Sequence, residues 1–588
     1  MTVKVSHRWT PRNWASLAPF GIGHQRPNNY WELARAAIES RDRLGFAWRI
    51  LSQGVCDGCA LGTTGMKDWT LDGTHLCNIR LRLLRLNTAP AFDPAILADA
   101  EALAKKKSSE LRELGRLPRP MLRRAGEKGF RAVSWDEALD LAAARLREAG
   151  PNGAGFYVTS RGMPNEGYYA IQKAVRALGF ISVVNAARIC HSQSTTGLKE
   201  TIGVAATTCS YSDWIESDLV VFIGSNVANN QPVATKYLHY AKKSNLRVVA
   251  INSHREPGME RYWIPSIAES SLFGTKIADK CFLVNQGSDV AFLNGVIKHL
   301  AENGWVDKAF VEDRTTGFEA LEAHVGALKW EDLEADCGAT RAEMLELATM
   351  IRDARKAVFV WSMGITQHVQ GVENVKAIVN LALSGGFIGR AGCGLMPIRG
   401  HSGVQGGAEM GCYATAFPGG LAVNEENARH FSGLWGFDVP STPGRTAMDM
   451  IEGAHDGTMG VLFSIGGNFL EAMPDPAWVR EALARVPLRV HLDIVLSSQM
   501  LVESAGDVLL LPATTRYEVP GGVTETSTER RVIFSPEVPG PRVAEARGEA
   551  DVLLDLARRT RPEIAGKLAF DGTAALRRDI ARDIPMYA

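Results

Sequence analysis

The sequence carries no surplus of either charge: 65 basic residues balance 65 acidic ones. No field of one sign therefore draws the chain to nucleic acid or to an anionic membrane surface. No apolar run approaches the ~18 residues of a membrane span, and residues 1–16 hold no apolar segment of the signal-peptide kind. Nine irregularly spaced cysteines do not make a disulfide framework and suit a reducing compartment, so a cytoplasmic location is expected. No Gly-x-Gly-x-x-Gly follows a strand, which argues against a plain dinucleotide-dependent dehydrogenase. What is present is ordinary for a soluble globular protein, 46% hydrophobic and 22% charged, but 588 residues are too many for one core.

Residues 1–50 are rich in Trp and Arg, with a helix expected over 31–43. Cys56 and Cys59 then form a Cys-x2-Cys pair, and Cys77 follows eighteen positions after the second. Zinc or an iron–sulfur cluster would accept thiolates at this spacing. His75 or an Asp (Asp57, Asp68 or Asp72) could complete the site. The alternative is three buried cysteines, but the interleaved glycines predict a tight loop around something. Helical charged runs follow at 101–114 and 135–149. Beyond Gly153, apolar runs at 155–158, 181–184, 219–223 and 247–251 alternate with amphipathic helices at 168–178 and 234–243. That alternation predicts parallel strands joined by helices.

Within this pattern, the stretch from Ala187 to Ser194 contains Arg188-Ile189-Cys190-His191. It follows a β-branched run (180–184) and precedes a polar helix start at Ser194. Cys190 is thus expected at the carboxyl end of a strand, facing a helix N-terminus that favours thiolate. A thiolate is a nucleophile or a soft metal ligand, and His191 beside it can move protons. The plainer reading of Cys190 is a small buried hydrophobe.

One internal similarity stands out. The strand 218–223 ends in Gly224-Ser225-Asn226, with Pro232, a helix and a strand ending at Asn252 behind it. The strand 461–465 ends in Gly466-Gly467-Asn468, with Pro474, a helix and a strand ending at Asp493. In both copies Pro lies eight residues after the first Gly, and the polar strand end lies 28 and 27 residues after it. Such units seat nucleotides, because glycine lets the backbone approach phosphate and the polar strand end takes a ribose or base edge. Two copies predict one large nucleotide-bearing ligand, or a pair, held between two similar halves. Asp289 after Gly287-Ser288 is a further contact candidate, with N-capping as its alternative. Gly364 and Gln367 follow the strand at 357–361, and a glycine-dense stretch (385–411) predicts an ordered loop against a ligand. Arg399 in that stretch is placed to clamp a carboxylate bidentately.

Taken together, residues from about 54 to 560 resemble the molybdopterin oxidoreductases, specifically the formate dehydrogenase-like branch. The residues that carry the resemblance are Arg188-x-Cys190-His191 with Ser194 and Gly197, Gly224-x-Asn226 with Asn229 and Pro232, and Gly287-Ser288-Asp289. Gly364-x-Thr366-Gln367 with Gly371, and Pro397-Ile398-Arg399-Gly400 through Val404-Gln405-Gly406 to Met410-Gly411, complete the set. The resemblance implies an α/β, multi-domain architecture with two Rossmann-like dinucleotide-binding lobes and an N-terminal metal-cluster domain. It implies that Cys190 ligates molybdenum or tungsten, His191 acts as acid or base, and Arg399 holds formate. A bis-molybdopterin guanine dinucleotide cofactor would use Gly224, Asn226, Asn229, Asn252, Asp289, Gly364 and Gln367, and on its other arm Gly466, Asn468 and Asp493. The expected divisions are 1–115 for the Cys region, 186–400 for the first lobe, 116–185 with 401–560 for the second, and 561–588 for a helical tail.

Three features depart from the family pattern. Thr63 occupies the third cluster position, so a [4Fe–4S] cluster on Cys56, Cys59 and Cys77 would need a non-Cys fourth ligand. His401 stands where formate enzymes often have Gln. The family's C-terminal cap domain is expected to lie outside residues 1–588, with a separate chain supplying it or taking the electrons. The alternatives are a molybdopterin-dependent reductase of another small substrate, and a non-catalytic electron-relay scaffold.

Overall fold

The computed structural model describes residues 3–24 and 30–588. Two parallel-stranded sheets organise it. The first has the strand order Gly394–Pro397, Ala357–Trp361, Leu219–Ile223, Arg247–Asn252, Lys280–Leu283, all parallel. The second runs Arg131–Ala132, Met121–Arg123, Asp507–Pro512, Leu488–Asp493, Val461–Ile465, Ala154–Val158, Ser182–Asn185. Its last five strands are parallel, and the first two add an antiparallel edge. Leu219–Ile223, Ala357–Trp361, Ala154–Val158 and Val461–Ile465 are buried along their whole length. Continuous apolar runs of this kind are what a sheet covered by helices on both faces requires.

Each sheet has one place where the chain reverses its direction of travel across the strands. In the first, the path moves outward from Leu219–Ile223 to Lys280–Leu283, then returns to the other side with Ala357–Trp361. In the second, it moves from Ala154–Val158 to Ser182–Asn185, then restarts on the opposite side with Val461–Ile465. Crevices at the carboxyl ends of strands open at such switch points.

The helix foreseen over 31–43 ends at Glu39; Ser40 departs from helical geometry, a short 3-10 turn spans Arg41–Arg43, and a second helix, Leu44–Gln53, follows. That second helix buries Phe46, Ala47, Ile50 and Leu51 against Tyr517 and Val538. The run at 101–114 is likewise two short helices, Ala100–Ala104 and Ser108–Glu113. The helix Gly572–Asp583 packs Leu576 and Ile580 into the core of the second sheet's lobe. Asp583 anchors it by accepting from Trp435 Nε1. No helix among the described residues is long and apolar enough to cross a membrane.

Candidate active site and cofactor crevices

Two of the passages of the chain between the lobes carry candidate catalytic residues. After the strand Ser182–Asn185 of the second sheet comes a single turn, Ala187–Cys190, and then the helix Ser192–Ile202. That helix packs on Gly371–Ser384 and places Leu198 in the core of the first lobe. The return crossing leaves the strand Gly394–Pro397, carries Arg399, and enters the helix Val404–Glu409, which packs on Asn165–Ala177 of the second lobe.

Cys190 is the last residue of its turn, and His191 occupies the N-cap position of the next helix. Burial pushes the Cys190 thiol up to about 11, against the pull of Arg399. The expected thiolate is therefore not what the protein alone provides: loss of hydration outweighs the charge in reach. Burial, followed by the Arg399 charge, drives His191 well below the usual histidine range and keeps the ring neutral. Its Nδ1 lies 3.0 Å from Ser194 Oγ, which accepts from Trp361 Nε1 at 2.9 Å. Its Nε2 is buried without a partner. Thr366 Oγ1 donates to the Cys190 carbonyl at 2.7 Å and ties the turn to the first lobe.

Arg399 is 2% exposed. Its Nη2 donates to the Ala205 carbonyl at 3.3 Å, while Nε and Nη1 have no partner. Tyr413, absent from the sequence-based set, is buried with Ala187 and Val404 and lies beneath the Arg188 guanidinium at 5.4 Å. A tyrosine following a glycine-rich loop gives no pattern by which to find it. Burial and the Arg161 charge lower His401 to about 4.

The first strand of each repeated unit ends at a switch point. Gly224 (φ 54°) faces Gly364, whose N–H donates to the Gly224 carbonyl at 3.1 Å. A Cβ on Gly224 would come within 2.7 Å of the Gly364 backbone, so a side chain fits at neither position. Asp289 opens the helix Asp289–Glu302, and burial raises it to about 6. The Asn226 side chain caps the turn Val227–Asn230 by accepting from the Asn229 N–H, and Asn252 Oδ1 accepts from Ser253 N–H. Local capping therefore occupies both carbonyl oxygens. Asn229 and Gln367 lie exposed.

In the second lobe Gly466 (φ 66°) abuts Thr159, which follows the neighbouring strand. Gly466, Asn468 and Asp493 line a cavity of ≈ 310 Å³ together with Arg161, Arg516 and Glu549. Burial raises Asp493 to about 7, and Glu549, also raised to about 7, is held up by burial and further by Asp493. Asn468 Nδ2 donates to Ser498 Oγ, leaving Oδ1 buried and unpartnered.

Cys56, Cys59 and Cys77 are buried, and burial raises all three thiols, Cys56 to about 12. Among the described residues no three His, Cys, Asp or Glu side chains converge as a metal-binding group. The fourth ligands considered from sequence are engaged elsewhere. His75 Nδ1 lies 3.0 Å from Asp68 Oδ2, Asp57 Oδ2 accepts from Asn87 at 2.8 Å, and Asp72 is exposed. Arg80, buried at the loop's centre, donates to the carbonyls of Ile50, Leu51, Gly54 and Gly65 and to Thr63 Oγ1.

A family profile described as Molybdopterin oxidoreductase matches residues 116–559. Protein YdeP of Escherichia coli is 30% identical over 500 residues, covering 82% of this chain and 65% of YdeP. Probable oxidoreductase YjgC of Bacillus subtilis is 32% identical, covering 80% of this chain and 46% of YjgC. Formate dehydrogenase H of Escherichia coli is 31% identical, covering 70% and 55% respectively. The chain thus spans less than two thirds of the length of these relatives. In fold it is similar to the acetylene hydratase of Pelobacter acetylenicus, with a TM-score of 0.65 at 17% identity over 90% of this chain and 71% of that one. The chain belongs to the molybdopterin oxidoreductase family, which implies a molybdenum or tungsten molybdopterin cofactor.

Proposed function

We propose that the chain is the catalytic subunit of a molybdenum- or tungsten-dependent enzyme that oxidises formate to carbon dioxide. Arg399 carries this reading: a buried guanidinium with Nε and Nη1 unpartnered, close enough to Cys190 and His191 to influence both. An unpaired buried cation is costly, and a planar fork of N–H donors matches a carboxylate. The similarity to formate dehydrogenase H supports the same substrate.

The residues present fit a bis-pyranopterin guanine dinucleotide. Backbones press together at Gly224 and Gly364, Asn468 Oδ1 lacks a partner, and Asp493 with Glu549 lines a cavity. Cys190 would hold the metal through sulfur, with one nucleotide arm at Gly224 and Asp289 and the other at Gly466 and Asp493. When bound, that group supplies the sink for two electrons. The chain's own residues do the rest. Arg399 binds the carboxylate and orients the formate C–H toward Cys190. Ala187, Val404 and Tyr413 form an apolar wall that excludes water. His191, anchored through Nδ1 beside Cys190, relays the proton outward; burial and the Arg399 charge disfavour a lasting imidazolium, so the proton is passed on rather than kept. The balance is complete, since formate gives carbon dioxide, one proton and two electrons.

Electrons then pass to a partner chain, which also closes the cofactor crevice in the second lobe. The test is formate-dependent reduction of an artificial acceptor by metal-loaded protein. Wild type should turn over, and Cys190→Ala and Arg399→Ala should not. Formate turnover by either variant at the wild-type rate would remove that residue from the mechanism. His401 favours one second reading, reduction of another small oxyanion, and turnover driven only by a reduced donor would select it.

A further inference from the structure

The segment 56–60 contains two of the three clustered cysteines, and it is bonded directly to the loop that carries Arg399. The Ala60 N–H donates to the Gly400 carbonyl at 3.2 Å. Ser402 Oγ donates to the Asp57 carbonyl at 2.7 Å and accepts from the Gly162 N–H at 3.2 Å. On its other side, the Ala60 carbonyl accepts from Thr528 N–H at 2.8 Å, fixing the segment from behind. Gln231 Nε2 donates to the Arg399 carbonyl at 3.1 Å. The Arg399 side chain itself makes one protein hydrogen bond, to Ala205. The direction of its guanidinium is therefore set mainly by where the backbone on either side is held. Ser402 is fully buried, and its one hydroxyl joins the cysteine segment, the arginine loop and the second lobe.

We propose that Ser402 is a positioning residue: its hydroxyl clamps the Arg399 loop between residues 56–60 and Gly162, and so aims the guanidinium at the substrate carboxylate. The proposal rests on the reading that Arg399 receives the substrate. Removing the hydroxyl leaves the Asp57 carbonyl and Gly162 N–H without their partner and frees the loop. Arg399 would then bind the anion less well while the chemistry at Cys190 and His191 proceeds as before.

The test compares cofactor-loaded wild type with Ser402→Ala, and with Ser384→Ala as a control. Ser384 is a buried serine whose hydroxyl donates to the Asn380 carbonyl of its own helix, at 2.8 Å. Ser402→Ala should raise KM for formate about tenfold with kcat within about twofold, a shift equivalent to one lost buried hydrogen bond. Amide exchange at Ala60 and Gly162 should also quicken, and the control should show neither change. An unchanged KM overturns the clamp. If wild type does not oxidise formate, the formate reading alone falls and exchange decides the clamp: faster exchange at Ala60 and Gly162 upholds it, and unchanged exchange overturns it. If the alanine variant does not load cofactor, Ser402→Cys, of similar size but a weaker donor, carries the same comparison.

Discussion

At the scale of single residues, the site is defined by what burial does to charge. Cys190, His191 and Arg399 sit together in a dry setting, where the thiol is held protonated and the imidazole neutral. The sequence placed Cys190 after a strand and before a helix, which is where it lies, but it could not show how deeply the thiol is buried. The helix-terminus argument for thiolate fails because burial outweighs the charge in reach of the thiol. Ser194 and Trp361, 167 positions apart, meet only in the fold, so the support beneath His191 was not legible. That support is testable. Ser194→Ala removes the anchor of Nδ1 and should lower kcat about tenfold with KM little changed, since the carboxylate contact at Arg399 is untouched. An equal loss in a variant lacking His191 altogether would show that Ser194 does not act through the ring. Arg399→Lys keeps the charge but loses the fork, and should raise KM for formate by tenfold or more. Steady-state kinetics at matched metal content would settle both.

At the scale of elements, the two strand–glycine–helix units were legible because glycine after an apolar run, a proline and a polar strand end recur at nearly equal spacing. What the sequence concealed is why those glycines are required. Gly224 meets Gly364, 140 positions away, and Gly466 meets Thr159, more than 300 positions away. Sequence spacing carries no trace of either contact, and the asymmetry between them gives a prediction. A Cβ at Gly224 would strike backbone atoms at 2.7 Å, whereas at Gly466 it would meet the Thr159 side chain, also at 2.7 Å. Both residues have positive φ, which an L side chain adopts with strain. Gly224→Ala should therefore destabilise more, by roughly 2–4 kcal/mol, and Gly466→Ala by roughly 1–2 kcal/mol, with cofactor loading falling in that order. Thermal denaturation and metal content per chain would measure both. Adding Thr159→Ser, which removes the atom struck, should recover part of the Gly466→Ala loss and none of the Gly224→Ala loss.

At the scale of the whole molecule, two lobes share one chain, and each lobe holds at least one carboxyl raised by burial at the crevice proposed for a nucleotide arm. Asp289 is raised to about 6 and Asp493 and Glu549 to about 7, each chiefly by burial. In the unfolded chain these groups ionise near their ordinary values. Folding therefore disfavours the charged form. The penalty is absent when pH lies below the unfolded values, grows as pH rises from about 4, and is complete once pH passes the folded values of about 6 to 7. The cofactor-free protein should accordingly lose stability over that window, and Asp493→Asn with Glu549→Gln should relieve the loss. The double variant is expected to unfold at a higher temperature than wild type at pH 8 and at an equal temperature at pH 4. The gain should be on the order of 1–2 kcal/mol after allowance for solvent in the cavity. A ligand offering N–H groups to the ionised carboxyls supplies the hydration they lost, so cofactor loading should erase the advantage or reverse it. A gain of equal size at pH 4 and pH 8 would mean that the two carboxyls are ionised as in water, and that the crevice is not built to receive donors.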